Sequence, residues 1–562
     1  MTNHFASHIP PSQRLTANLF ILSAIILLAV MLRVHFLDWV TIDWDEDLYR
    51  AYAQDLLHGK MLYRDIWDHK PPAIFYLFAL IEAIHPSIVF FRIVGIAWSI
   101  ADGLLLYVIA RRLWSLQAGR FAFIAWTVAT CPHWGSQSNT ELFFTLFSLL
   151  AVYVFVRVFL AGSVNPDGVH ASGAELEIEQ QNEDRTLTML PLPICSPLPP
   201  LSPSPRLALS RSPTLPLLPS PTLRVPSSPA PSAVALLGIG IAAGIAFQFK
   251  PVTVADLAAI ILTLIICLGT GKFRTTGWIL AGFVFPSLAV LVYLSFHGLV
   301  KEWLYAVYWY NLLYVSEPIA ETLSYGPRNL VEMLQENLPF FVTAAAGLVL
   351  VLMKEDRKRR WFFVLWLSLT FLSVALGLKF LKHYFLQWLA PLSLLAGFCL
   401  HQTKLGNSRL VRNAMLALFC GWVVSITVLQ GFDLIRKIQN WRTEGFIYYD
   451  VSYRTAMFVN QRMQAKSVYV WRSPSLAIYF LTGKRPPTRF LFWRHLTRRP
   501  LPPWMEEEWR RDLEAAPPAV IINSDSFNLP ASSVPFMQQF IAQRYRIVRK
   551  LDRLTIYELG GY

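Results

Sequence analysis

"LTANLFILSAIILLAVMLRVHFL" (residues 15–37) carries a single charged side chain, Arg33. A helix rises 1.5 Å per residue, so this stretch is long enough to cross the ~30 Å hydrocarbon core of a bilayer. Its N-terminus lacks a clear small-residue cleavage site, and the segment is read as a retained anchor. Comparable stretches recur near 88–112, 117–133, 140–161, 233–249, 252–268, 276–296, 338–353, 361–378, 384–400 and 413–431. The chain is therefore read as a polytopic α-helical membrane protein of about eleven spans.

Composition agrees. Of 562 residues, 54% are hydrophobic and 15% charged, where a soluble protein carries roughly a quarter of its residues as charges. The net charge of +14 does not point to nucleic acid, because Lys and Arg gather in short loops between apolar stretches. Arg111, Arg112, Arg120, Lys272, Arg274, "KEDRKRR" (354–360), Lys404, Arg409 and Arg412 fall on one side of the alternating path. That side is cytoplasmic by the Lys/Arg bias. Residues 38–87, 297–337 and the C-terminal tail then lie outside. The five cysteines are scattered without a CxxC pair and read as small core residues.

Two regions depart from this pattern. Residues 163–232, with "PLPPLSPSPRLALSRSPTLPLLPSP" at their centre, are rich in Pro and Ser and are expected to be a disordered cytoplasmic insertion. Residues 440–562 turn soluble in composition. Strands are predicted at 467–471, 519–523 and 554–559, and helices at 502–516 and 534–543, giving a small extracytoplasmic α/β domain.

The densest polar signal follows the first span. "TIDWDEDLYR" (41–50) sets Asp43, Asp45, Glu46 and Asp47 together at the membrane edge, opening an amphipathic helix over 45–59 that Gly59 closes. The segment 73–84 is short for a span and is expected to lie in the interface. "YRDIWDHKPP" (63–72) brings Asp65, Asp68, His69 and Lys70 ahead of two prolines, which stiffen the lysine's backbone. Such a loop is compatible with plain solvation, with a divalent metal on Asp43, Asp45 and Glu46, or with a carboxylate base beside a phosphate-binding lysine. Asn139 and Glu141 in "SNTELFF" (138–144), Lys250 in "FQFKP" (247–251), and Lys382, His383 and Tyr384 in "KFLKHYFLQWLAP" (379–391) fall at the same face. Singly they read as snorkelling side chains. Together with an apolar wall they suit an amphiphile with an anionic head.

The loop from Asp45 through Lys70-Pro71-Pro72, the Lys-bearing helix end at Lys250 and "HYFLQWLAP" (383–391) resemble the integral membrane glycosyltransferases that use polyprenyl-phosphate sugars. These are GT-C-type enzymes, similar to lipid A aminoarabinose transferase, protein O-mannosyltransferases and rhizobial lipopolysaccharide-core transferases. The resemblance covers most of 15–431 in layout. It implies that Asp45 is the catalytic base, assisted by Glu46, and that Lys70 contacts the donor phosphate, with Lys250 and His383 as further phosphate contacts. His69, Glu141, Tyr384 and Lys382 are further candidates for substrate contact. The implied reaction transfers a sugar from the lipid phosphate to an acceptor hydroxyl of a lipid, glycan or protein, with inversion, at the outer face of the cytoplasmic membrane. Membrane lipids are expected partners and nucleic acid is not. No organic cofactor is expected, and a divalent metal is allowed but not required. The alternative is a transporter or flippase of polyprenyl-linked sugars. No internal repeat of the kind transporters carry is visible.

Overall fold

The protein is described by a computed structural model that covers residues 11–131, 138–160, 231–315, 319–402, 409–445, 450–463, 465–497, 501–524 and 535–560. The expected Pro/Ser insertion lies, except for its last two residues, outside them.

A helix occupies each of the eleven expected positions. Among the described residues, seven helices are long and apolar enough to cross a membrane, including Ile88–Leu113, Thr140–Leu160 and Lys272–Phe296. An eighth span would come from Thr322–Glu336 and Leu338–Lys354, which meet at 83°. Leu116–Ala129, Ala233–Phe247 and Pro251–Cys267 are shorter. The chain is thus a polytopic helical membrane protein.

Lipid is as apolar as a leucine side chain, so helices in a bilayer associate through close packing and buried polar contacts. Both are present. Gly240, on Ala233–Phe247, and Gly282, on Lys272–Phe296, meet so closely that a Cβ on Gly240 would sit 2.0 Å from the Ile279 carbonyl oxygen. Elsewhere Asp256 accepts hydrogen bonds from Ser148 Oγ (2.9 Å), Trp366 Nε1 (2.7 Å) and Gln387 Nε2 (2.8 Å). One carboxyl therefore joins four helices.

The loops sort by end. At one end Trp114 Nε1 donates to Glu355 (2.9 Å), Lys354 to Gln402 (2.9 Å), and the Arg359 guanidinium to the Leu160 carbonyl (3.1 Å). The basic loops meet there. At the other end lie α2 (Trp44–Leu57), α3 (Ala73–Ile84) and a four-stranded sheet. α3 exposes Tyr76, Leu80 and Ile84, a lipid-facing edge consistent with an interfacial helix.

The sheet has the order β1 (Val468–Trp471), β2 (Val520–Ser524), β4 (Leu554–Leu559), β3 (Tyr545–Leu551). β1 and β2 are parallel, with Val468 opposite Val520, and the other pairs are antiparallel. Helices Pro503–Ala515 and Pro535–Arg544 accompany it. β3 was not foreseen. It is an exposed edge strand carrying Arg546, Arg549 and Lys550, and edge charge of this kind discourages strand addition.

Overpacking a tight helix contact costs about 1–3 kcal/mol. Gly240→Val is therefore expected to lower the thermal unfolding temperature of the purified protein. Gly238→Val, where an added Cβ meets nothing within 4 Å, should leave it unchanged.

Candidate active site

The acidic cluster is built around the start of α2. Asp43 is the N-cap, in extended backbone (φ −140°, ψ 142°), and its Oδ1 accepts from the Asp45 amide at 3.3 Å. Three further acids fill the first turn, where the positive end of the helix dipole favours them. Successive side chains then diverge by about 100° around the axis, and each acid meets a different neighbour.

Glu46 turns inward. It is buried against Arg92 of α4 (Ile88–Leu113) in a direct ion pair and accepts from the Ser138 amide at 3.0 Å. Arg92 also donates to the Trp39 carbonyl at 2.8 Å. Asp47 accepts from Thr41 Oγ1 (2.8 Å) and from the Ala477 amide (3.1 Å) near β1. Asp45 alone points along the opening of the cavity. Its Oδ2 pairs with Lys70 Nζ at 2.9 Å, and the Tyr49 hydroxyl lies 3.4 Å away. Glu46 is thus turned away from Asp45, with both its oxygens engaged by Arg92 and the Ser138 amide. Among the described residues, Asp43, Asp45 and Glu46 do not group at the spacing of metal ligands.

The Lys70 segment is held from several sides. The Tyr63 hydroxyl donates to the Lys70 carbonyl (2.8 Å), Asn311 Nδ2 to the His69 carbonyl (2.7 Å), and the Lys70 amide to Asp68 Oδ1 (3.1 Å). After the two prolines, the Ala73 amide donates to the Gln248 carbonyl at 3.1 Å. Tyr63 adopts φ +70°, in the left-handed region, a strained setting that its buried ring and hydroxyl hold in place.

Lys250 pairs with Glu141 and places its ammonium 3.9 Å from the Tyr384 ring centroid. His383 Nδ1 lies 3.9 Å from Asp43 Oδ2, which also accepts from Asn139 Nδ2 at 2.6 Å. Asp43, Asp45, His69, Lys70, Glu141, Lys250, His383 and Tyr384 thus gather at one place. Lys382 does not join them; it pairs with Glu336 (2.9 Å) and Glu332 (3.4 Å).

The space beside these groups changes character along its length. A polar cavity of about 90 Å³ is lined by Asp45, His69, Lys70, Lys250, Asn311 and Tyr384, among others. A second, of about 280 Å³, shares Lys250, Pro251, Asn311 and Tyr384 and continues past Phe144, Val252, Val307, Leu312 and Val374. An amphiphile would place its charged head in the first and its apolar part in the second. Asn311 was missed by sequence reasoning, since it stands in an unremarkable aromatic stretch.

Charge shifts follow from this packing. Burial would raise the Asp45 carboxyl, but the Lys70 ammonium outweighs it and holds the group at about 2. Burial and the neighbouring Asp45 push Asp43 up to about 6. Burial likewise pushes Asp68 up to about 6 against the pull of Lys70. Burial would lower Lys70, yet Asp45 and Asp68 drive it above its ordinary value. Among the described residues, the group with the spacing to hold a metal is Asp68, His69 and His495.

Residues 69–166 match the family described as dolichyl-phosphate-mannose-protein mannosyltransferase. The fold is shared with ArnT from Cupriavidus metallidurans, solved bound to undecaprenyl phosphate, at TM-score 0.56 and 11% identity over 96% of this chain and 98% of that one. The apo form of ArnT matches at TM-score 0.56 and 10% identity over 97% and 98%. The oligosaccharyltransferase of Archaeoglobus fulgidus matches at TM-score 0.47 and 9% identity over 90% and 69%. No curated protein sequence matches the chain. The resemblance read from the loop motifs holds at the level of fold, which this chain shares with ArnT.

Removing one partner of a buried ion pair strands the other charge and costs about 3–5 kcal/mol. Arg92→Leu is expected to destabilise the purified protein by that order. Glu46→Leu combined with Arg92→Leu should recover most of the loss, as read by thermal unfolding.

Proposed function

We propose that the protein is a glycosyltransferase that moves a sugar from a polyprenyl-phosphate donor to an acceptor hydroxyl, with inversion at the anomeric carbon. The observation that carries this reading is the Asp45–Lys70 pair at 2.9 Å at the mouth of a cavity that is polar at one end and apolar beyond. The description of the matched family and the undecaprenyl phosphate bound to ArnT point to lipid-phosphate chemistry of the same kind.

In this reading the donor phosphate enters the polar cavity and draws Lys70 and Lys250 from Asp45 and Glu141. Asp45 loses the countercharge that depresses its proton affinity and becomes a better base. The acceptor hydroxyl attacks the anomeric carbon while Asp45 takes its proton. The bond between that carbon and the phosphate oxygen breaks, and the electron pair leaves with the polyprenyl phosphate. Lys70 and Lys250 stabilise the charge that grows on it, and preorganised charge of this kind is commonly the largest contribution to catalysis. His383 adjusts Asp43, while His69 and Tyr384 shape the cavity. The chemistry needs no organic cofactor, and nothing in the steps requires a metal.

The Lys and Arg bias of the loops at the opposite end supports reading that end as cytoplasmic. The site and the sheet then face outward from a cytoplasmic membrane, within reach of lipid, glycan or protein acceptors of the cell envelope.

The test is transfer from a panel of radiolabelled undecaprenyl-phosphate sugars to envelope lipid, glycan and peptide acceptors by the purified protein. Removing a general base costs about 10²–10⁴-fold, so Asp45→Asn should lower kcat by that order. Equal transfer by wild type and Asp45→Asn would sink the assignment. Lys70→Ala should lower kcat by about 10²-fold or more, as loss of a charge-stabilising group does.

A second expectation concerns pH. Asp43 ionises as pH rises through about 6, which adds a negative charge beside Asp45 and strengthens it as a base, while His383 and Lys70 moderate the effect. kcat/KM should climb between pH 5 and 7. Asp43→Asn should flatten that limb, as read from the pH profile.

A further inference from the structure

Asp68 and His69 precede Lys70 in the membrane-edge loop, and His495 sits in the short helix Arg494–Thr497 beside the sheet. Their side chains converge from the two parts of the molecule. His69 Nδ1 lies 3.1 Å from His495 Nε2 and 3.5 Å from Asp68 Oδ1. One donor atom from each residue falls within 4.8 Å of the others. Asp68 and His495 are buried and His69 nearly so.

We propose that Asp68, His69 and His495 form a zinc site that staples the Lys70 loop to the C-terminal α/β region. Zinc holds imidazole nitrogen and carboxylate oxygen at about 2.0–2.2 Å in a tetrahedron, so neighbouring ligand atoms stand about 3.3 Å apart. The observed 3.1 and 3.5 Å bracket that edge. Two imidazoles and one carboxylate favour zinc over magnesium or calcium, which prefer all-oxygen shells.

The segments that carry the ligands are also held in place by hydrogen bonds. The His69 carbonyl accepts from Asn311 Nδ2 (2.7 Å), Asp68 Oδ1 accepts from the Lys70 amide (3.1 Å), and the His495 carbonyl accepts from the Tyr310 hydroxyl (3.3 Å). The His495 ring is flanked edge-on by Trp67 at 4.9 Å and Phe492 at 5.0 Å. His69 borders the polar cavity, from which water would supply the fourth ligand. The site adjoins the cavity through His69 but includes neither Asp45 nor Lys70, and its existence does not depend on the proposed transferase reaction.

The test measures metal directly on the full chain, purified in detergent through a tag without histidine. After incubation with zinc chloride and gel filtration, elemental analysis should find about one zinc per chain, as a three-ligand site predicts. His495→Gln and His69→Gln should each retain roughly tenfold less or lower still. Cys420→Ser, which removes an exposed thiol, should retain as much as wild type. Cobalt bound to wild type should give the intense visible bands of four-coordinate cobalt with nitrogen and oxygen ligands. This readout needs no substitution and stands even where a histidine variant fails to fold. Wild type without zinc, histidine variants that keep it, loss of zinc with Cys420→Ser, or a weak six-coordinate cobalt spectrum would each overturn the proposal. None of these outcomes bears on whether sugar is transferred.

Discussion

The buried pairing of Glu46 with Arg92 sets the rotation of α2, and the rest of the site follows from that rotation. With Glu46 turned toward α4, its neighbours must project about 100° to either side. Asp45 is carried to the cavity and Asp47 to the C-terminal region, while Asp43 stays behind as the cap. Four adjacent acids would repel one another on a free loop. Here each is separated from the next by a dedicated partner: Asn139, Lys70, Arg92, or Thr41 and the Ala477 amide. The cluster is thus one helix start distributing four anchoring or chemical tasks.

The membrane imposes a second order on the same charges. Inside the bilayer an ionised group without partners is costly, and Asp256 has three. Ionisable groups with room to exchange partners therefore collect at the ends of the bundle. At the basic end they contact neighbouring loops and helix ends. At the other end Lys70 and Lys250 each hold a carboxylate beside an open cavity, an arrangement that a stronger anion can displace.

Much of this architecture was legible in the sequence, since spans, buried strands and a proline-stiffened lysine all leave local patterns. Asp45, Lys70, Lys250 and His383 were found through motif and helix-end position, and the structure brings them together. The distinct tasks of Asp45 and Glu46 were not legible, because they depend on the phase of α2, which only its contact with Arg92 sets. Lys382 stands next to His383 in the chain, yet a single turn of 3₁₀ backbone sends it toward Glu332 and Glu336. His495 and Asn311 lie hundreds of residues from Lys70 and belong to no local pattern. β3 escaped because an exposed edge strand lacks the alternation that marks a half-buried one.

The span of the contacts made by α2 bears on how the protein is made. Asp47 bonds the Ala477 amide and Asp55 bonds Arg485, each across 430 residues. The ribosome releases α2 some 430 residues before these partners. Throughout the intervening insertion of helices, Asp47 and Asp55 must remain hydrated at the membrane surface, since burying them alone is costly. The first loop of the chain is therefore among the last parts to dock. A chain terminated before Ala477 would insert its helices and still lack both of these contacts.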